Sequence, residues 1–393
     1  MKRLGLHPAI LAAASTHFVV DAYGNLYAPL LPLLIPRLGL SLKMAGTLAM
    51  CFQIANSVSQ LGFGTLADRW RPRVLLIAGP LFAVTVLSAI GSASSIPMLA
   101  AILVIGGLGG AAFHPPAAAL VYVVSDHRKG FAMSLHITSG SLGMALAPLV
   151  FAPAVTAMGP GWSWLIALPG LAALSYTLRL MKRVPALARK GTQRWSDLKP
   201  YAKPLGLLYA VVVLRTLTSQ SLSTFLPVLL TRQGMSVTEA SAAVTMFLFF
   251  TGFGGFLGGS VADAYGPRRV IVWSLVCSVP FLVLAHWTTA WTFTALISVG
   301  GFLLQSTLPV NVTFGQQLAP VSAATVSSLM MGFAWGVGAL MAPVVGLLGD
   351  TMGLRFALLA TAGIPLLAAA VAARLPAQVP GGPVSVARPE AFV

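Results

Sequence analysis

Acidic side chains are scarce in this sequence, with eight Asp and Glu among 393 residues and all charged residues together at 8%. A water-soluble domain carries roughly a quarter of its residues charged, so most of this chain's outside cannot face water. Cysteine is nearly absent as well. Cys51 and Cys277 lie in separate apolar runs, which gives neither a metal-ligand spacing nor a disulfide framework and reads as two small buried hydrophobes. No Gly-x-x-x-x-Gly-Lys phosphate loop occurs, which argues against ATP-driven transport. No nucleophile–base pair or metal-ligand motif stands out, and no polar stretch is long enough for a soluble sensor domain. A membrane-embedded enzyme or sensor is therefore the disfavoured rival class, and no cofactor is called for.

What is abundant is apolar sequence, 57% of the chain. About 20 mostly apolar residues cross a bilayer, and that ruler marks twelve spans at roughly 9–35, 42–67, 73–93, 97–124, 130–156, 162–181, 204–231, 237–262, 268–287, 291–317, 322–348 and 354–374. The fold class is an all-α membrane protein with twelve transmembrane helices. Met1-Lys2-Arg3 and the apolar run after it mimic a secretion signal, but the run continues past Ala14 to about Ile35 and reads as an uncleaved first helix. Pro29, Pro32, Pro115, Pro148, Pro227 and Pro343 fall inside spans, where neighbouring helices satisfy the backbone groups that proline frees.

The net charge of +16 is carried by Lys and Arg in the gaps between spans. With the N-terminus inside, the inner gaps collect Lys2, Arg3, Arg69, Arg71, Arg73, Arg128, Lys129, Arg268, Arg269 and the basic segment 182–203. The outer gaps keep only Arg37, Lys43, Arg232 and Arg355. That asymmetry places both termini in the cytoplasm. It also differs from the basic stripe with interleaved aromatics that nucleic acid would require.

Shifting the chain by 195 residues superposes Pro32 on Pro227, Gly39 on Gly234, Ser41 on Ser236, Gly64 on Gly259, Asp68 on Asp263, Pro72 on Pro267, Arg73 on Arg268, Gly143 on Gly338 and Pro148 on Pro343. One gapless shift over more than a hundred residues marks an internal repeat. Spans 1 and 7 enter from the same side, so the repeats are parallel. The expected organisation is a six-helix bundle over 1–181, a cytoplasmic linker over 182–203, a second bundle over 204–374 and a disordered cytoplasmic tail over 375–393. Two parallel six-helix halves with a site between them suit an alternating-access carrier.

The loop after span 2 reads Gly64-Thr65-Leu66-Ala67-Asp68-Arg69-Trp70-Arg71-Pro72-Arg73. It resembles the Gly-x-x-x-Asp-Arg-x-Gly-Arg-Arg loop of the major facilitator superfamily, with Arg71 in place of the glycine. A second copy from Gly259 to Arg269 has Ala264 where a basic residue is usual. The resemblance covers essentially the whole chain. It implies a conformational gate at Gly64, Asp68, Arg69 and Arg73, with a weaker copy at Asp263 and Arg268, that ties helix ends together when the carrier faces outward. His17-Phe18-Val19-Val20-Asp21, Phe113-His114-Pro115 and the stretch Ser134 to Pro148 resemble the fosmidomycin-resistance-like branch of drug exporters. Ala147 stands where proton antiporters of the superfamily carry glycine before Pro148. The resemblance implies a cavity framed by spans 1, 4, 7 and 10 and a carrier that acts as a monomer.

Ionisable groups inside a bilayer are costly and mark function by default. Away from span ends there are two charged residues, Asp21 and Arg215, at similar depth in repeat-related spans. His17, Asp21 and Asn25 recur every four residues and share one helix face. Asp21, with His17 as partner, is expected to cycle the coupling proton; the alternative is a structural ion pair of Asp21 with Arg215. Arg215 either binds an anionic substrate or controls Asp21. Tyr23, Asn25, His114, His136, Gln220 and Asn311 are candidates for substrate contact, with packing or helix-to-helix bonding as the alternative for each. Few polar groups in a mostly apolar pocket suit a small amphipathic or modestly charged solute. The expected activity is proton-coupled export of a small organic compound or drug, with proton-coupled import of a small organic anion as the runner-up. The implied partners are protons, that solute and the lipid bilayer.

Overall fold

The computed structural model describes residues 7–69, 72–125, 129–181, 195–319 and 326–377. All regular structure among them is helical, in twelve consecutive crossings. In the first half these are α1 (Pro8–Leu38), α2 (Leu42–Ser57 and Ser59–Arg69), α3 (Pro72–Ser92), α4 (Ile96–Val124), α5 (Lys129–Met158) and α6 (Pro160–Ile166 and Ala167–Met181). In the second half they are α7 (Ala202–Arg232), α8 (Val237–Tyr265), α9 (Pro267–Ala285), α10 (Ala290–Leu318), α11 (Ser328–Met352) and α12 (Leu354–Ala372). Ten are long and apolar enough to cross a bilayer by length and composition. The other two are α2, interrupted at Val58, and α6, which opens as a tight 3-10 turn. The face bearing Pro8 is called the terminal face below, and the other the opposite face.

Local chemistry sets the ends and breaks. Gly39 (φ 62°) and its repeat mate Gly234 (φ 93°) hold the left-handed turns at the ends of α1 and α7, a conformation that costs glycine least. Ser41, Ser95 and Ser236 cap α2, α4 and α8 through their side-chain oxygens. α1 breaks between Gly24 and Tyr27. Pro29 cannot donate to the carbonyl of Asn25 and its ring crowds that turn, so the helix opens one turn beyond Asp21. α11 is also irregular, with a π-type turn over Ser328–Phe333 and a break before Met341.

Each half packs as its own bundle, and the halves meet along α2–α11 and α5–α8. The part of α1 beyond the break (Tyr27–Leu38) lies on α7, whereas the chief neighbours of Pro8–Gly24 are α4, α5, α6 and α3, all in the first half. The halves therefore close on each other toward the opposite face. Large apolar side chains such as Phe249, Phe253, Phe256, Leu284 and Leu367 point outward. Trp162, Trp164, Trp287 and Trp291 are exposed at the opposite face, where indole rings sit at membrane interfaces.

Three expectations need adjusting. Cys277 is exposed on α9 and Cys51 is half-buried, so neither is the buried small hydrophobe the sequence suggested. Residues 182–194 of the linker lie outside the described residues, and 195–201 form a 3-10 turn leading into α7. Leu375 is buried in the core of the second half, so order reaches past the expected start of the tail; the rest of that tail, 378–393, lies outside the described residues.

Glycine sets the closest helix contact of the second half. A side chain at Gly258 on α8 would collide with the Ser306 carbonyl on α10, while nothing lies within 4 Å of the same position at Gly259. Gly258→Ala is expected to destabilise the folded protein by about 1–3 kcal/mol, seen as a lower melting temperature in detergent. Gly259→Ala should leave it within error.

Candidate functional site

α1, α4 and α5 bring four of the predicted residues together. Asp21 Oδ2 lies 3.2 Å from His17 Nε2, one turn below on the same face, and Asp21 Oδ1 lies 3.6 Å from His114 Nε2 on α4. The His17 and His136 rings stack at 4.2 Å, and the His17 and His114 rings meet edge-on at 5.1 Å. Pro115 and Pro116 follow His114 directly and remove two backbone donors from that turn of α4.

The polar face of α1 is matched to α5 at a constant register. His17 Nδ1 donates to the His136 carbonyl at 2.8 Å, and Asn25 Nδ2 donates to the Met144 carbonyl at 2.8 Å. Between them, a Cβ on Gly140 would collide with the Asp21 carboxylate and come within 2.7 Å of His17 Nε2. Residues 17, 21 and 25 thus face 136, 140 and 144, one helical turn per step on two parallel helices. Only glycine lets α5 approach the carboxylate that closely.

This arrangement dictates where a proton sits. A carbonyl only accepts, so His17 Nδ1 must carry the hydrogen. His17 Nε2 then faces Asp21 either as N–H toward a carboxylate or as a lone pair toward a carboxyl group. The pair needs one proton between its two atoms, and losing it leaves a bare carboxylate in an apolar surround. Asp21 also borders a hollow shared with Gly24, Phe52, Asn56, Gly110 and His114. The ligand atoms of His17, Asp21 and His114 lie within 4.8 Å of one another, a spacing that a divalent cation could also bridge.

The other half holds the second intramembrane charge. Arg215 on α7 is completely buried; its guanidinium donates to Gln305 Oε1 on α10 and to Thr216 Oγ1 at 3.1 Å, and Nε has no partner among the described residues. Asn311, a little further along α10, is 1% exposed with neither amide atom hydrogen-bonded among the described residues. Gln220 is half-buried on α7. Asp21 and Arg215 do not pair: the ion pairs of Asp21 among the described residues are to His17 and His114. The reason is the break in α1, since the segment carrying Asp21 packs inside its own half.

The remaining candidates fall elsewhere. Tyr23 is buried, donates its hydroxyl to the Ile166 carbonyl and packs on Phe151 at 4.9 Å, so it ties α1 to α6. The Asp68 and Arg69 side chains lie outside the described residues. Gly64 packs near Pro115 of α4, Arg73 is exposed, and Asp263 is exposed with no Arg268 contact among the described ion pairs. Arg268 instead donates to the Ala373 carbonyl at the end of α12, a favourable seat for a cation. Sequence reasoning missed Gly140 and the α1–α5 register, although the matched four-residue spacing of 17, 21, 25 and 136, 140, 144 was there to be read.

With that geometry in view, the Major Facilitator Superfamily family model matches residues 13–214 and 208–391. The chain belongs to the major facilitator superfamily. The fosmidomycin resistance protein of Escherichia coli (strain K12) is 29% identical over 371 residues, covering 91% of this chain and 90% of that one. An uncharacterized MFS-type transporter of Bacillus subtilis (strain 168), YfnC, is 27% identical over 384 residues, covering 92% and 91%. Among solved structures, a bacterial homologue of the human lysosomal transporter Spinster, in an inward-facing and unoccupied conformation, superposes with a TM-score of 0.80 at 17% identity over 93% of this chain and 95% of that one. This superfamily member is an integral multi-pass membrane protein with the twelve-helix, two-repeat fold, and it is a secondary transporter of small molecules.

A methyl group at Gly140 has no room beside Asp21 and His17. Gly140→Ala should leave the protein folded and inserted but slow gradient-driven transport on the order of tenfold, because the pair must be re-seated. The matched control is Gly62→Ala, where nothing lies within 4 Å; vesicle transport rates normalised to inserted protein check both.

Proposed function

We propose that this transporter is a proton-coupled exporter of a small organic compound, exchanging substrate for protons by alternating access, with Asp21 and His17 as the proton site. The observation that carries this reading is the hydrogen-bonded Asp21–His17 pair, joined by His114, in the interior of the first half. One proton neutralises or balances the pair, and its loss is penalised by the apolar surround. Such a site responds to whichever side of the membrane it faces. Arg215, Gln220 and Asn311 lie on α7 and α10 of the second half, and we assign the substrate to that side, with Arg215 offering its charge to an anionic group. The E. coli relative is named for fosmidomycin resistance, which supports efflux and drug resistance over uptake.

The proposed setting is a bacterial inner membrane with the terminal face, both termini and the 182–203 linker cytoplasmic. The terminal face carries Arg73, Lys199, Lys203, Arg268 and Arg269 among the described residues, and the opposite face Arg37, Lys43, Arg232 and Arg355. Cysteine tags in the linker should label only from the cytoplasm and a tag at Gly159 only from outside. Labelling of both from one side would sink this orientation.

The test of coupling uses inverted vesicles with an imposed pH gradient and fosmidomycin as the first probe in a substrate panel. Wild type should concentrate substrate inside inverted vesicles that are acidic within, and EDTA should not change the rate. Asp21→Asn preserves size but cannot cycle a proton. It is expected to abolish gradient-driven accumulation while counterflow stays measurable. Accumulation against a gradient by Asp21→Asn would remove Asp21 from the mechanism, substrate movement in the same direction as protons would favour import, and inhibition by EDTA would favour a metal at His17, Asp21 and His114.

A further inference from the structure

The N-terminus of α2 is completed by a side chain from the other half of the protein. Asp350, near the end of α11, accepts the Leu42 backbone N–H through Oδ1 at 2.8 Å and the Lys43 N–H through Oδ2 at 2.9 Å. Ser41 Oγ accepts the Met44 N–H at 3.1 Å, and from Ala45 onward the helix supplies its own acceptors, beginning with the Ser41 carbonyl at 2.9 Å. The first three donors of α2, which a helix cannot satisfy internally, are thus all paired, two of them across the boundary between the halves.

The cross-half contact has no counterpart in the repeat. At the equivalent position in the second half, α8 carries a complete capping box of its own: Glu239 N donates to Ser236 Oγ at 3.2 Å, and Ser236 N donates to Glu239 Oε2 at 2.8 Å. Under the 195-residue shift Glu239 corresponds to Met44, which has no oxygen to offer, and Asp350 corresponds to Val155. The third donor is capped within the same turn in both helices, Met44 by Ser41 in α2 and Glu239 by Ser236 in α8. In α2 the two donors before it are capped as well, and only while α11 lies against it.

The backbone around this contact is packed for close closure. A Cβ on Gly46 of α2 would collide with the Ala342 carbonyl of α11, and one on Gly346 of α11 would collide with the Leu42 carbonyl of α2. The two glycines sit one turn inside the Asp350 contact and let the helices touch backbone to backbone.

We propose that Asp350 is the latch of the gate at the opposite face, a carboxylate that holds α11 on the N-terminus of α2 when that face is closed and lets go when it opens. Its charge favours the partial positive end of the helix, and breaking the contact strands two amide donors that water must then solvate. The latch belongs to the transport cycle itself and holds whether or not Asp21 is the proton site. It involves none of the loop residues that the superfamily resemblance assigns to the gate at the terminal face.

Spin labels at Met44 and Thr351, both exposed beside the contact, report its opening by pulsed electron resonance in the full chain in nanodiscs, with Cys51 and Cys277 replaced by Ala. Asp350→Asn loses the charge and one acceptor, and should raise the separated population on the order of tenfold. Lys43→Pro removes one donor at the second helical position, where Pro97 already sits in α4. It should shift the population the same way by less, and it carries the test if Asp350→Asn does not fold. Glu239→Gln weakens the α8 cap and should lower the melting temperature without moving the α2–α11 distance. An unchanged distance distribution in the folded Asp350 or Lys43 variant, or equal opening by Glu239→Gln, would overturn the latch.

Discussion

In a bilayer interior no water arrives to satisfy a stranded donor, acceptor or charge, so each must find its partner within the chain. That constraint organises this molecule more than hydrophobic burial does, because lipid and protein interior are nearly equivalent surroundings for Leu or Phe. The polar groups here solve the problem in different ways. His17 and Asn25 donate hydrogen bonds to carbonyls of α5. Asp21 takes its partners from α1 and α4. Arg215 leans on Gln305 and Thr216, and the N-terminus of α2 borrows a carboxylate from α11. Where the partner belongs to the same rigid bundle the group is structural glue. Where it belongs to the other half, or is a removable proton, the group becomes a switch.

Twelve crossings and their pairing into two repeats were legible because they rest on composition and on a shift that survives in Gly39, Gly234, Pro148 and Pro343. Those residues carry backbone requirements, a left-handed turn or a missing donor, that every copy of the fold must meet. The cluster at His17, Asp21 and His114 was legible in part, since helical spacing puts 17 and 21 on one face. The partner on α4 could be reached only through the family resemblance, because nothing in spacing alone sets the rotation of α4 relative to α1. The alternative reading, an Asp21–Arg215 ion pair, finds no support among the described ion pairs, for a reason that sequence reading underweighted. Equal depth in two repeats does not mean contact, because the Pro29 break divides α1 into a segment that touches α7 and a segment that stays with α4 and α5. Asp350 was invisible because its partners are backbone amides, which every residue possesses and no motif announces.

The site and the latch lie on different interfaces, and this bears on how the cycle could be linked. The Asp21–His17 pair, the proposed proton site, sits on the α1–α5 seam inside the first half, at a position where Gly140 leaves no slack. α5 is also the helix that meets α8 of the second half, as α2 meets α11. A change in the charge state of Asp21 and His17 therefore acts on a helix that forms one of the contacts between halves. Asp350 acts on another. A rocking motion that opens the opposite face must loosen these contacts together, since each half is packed as a unit. The energetic link between proton and gate then needs no chain of side chains running from Asp21 to Asp350. It needs only that the same rigid half carries α5 at one contact and α2 at the other, so that whatever re-seats α5 against α1 also changes the angle at which α2 presents its N-terminus to Asp350.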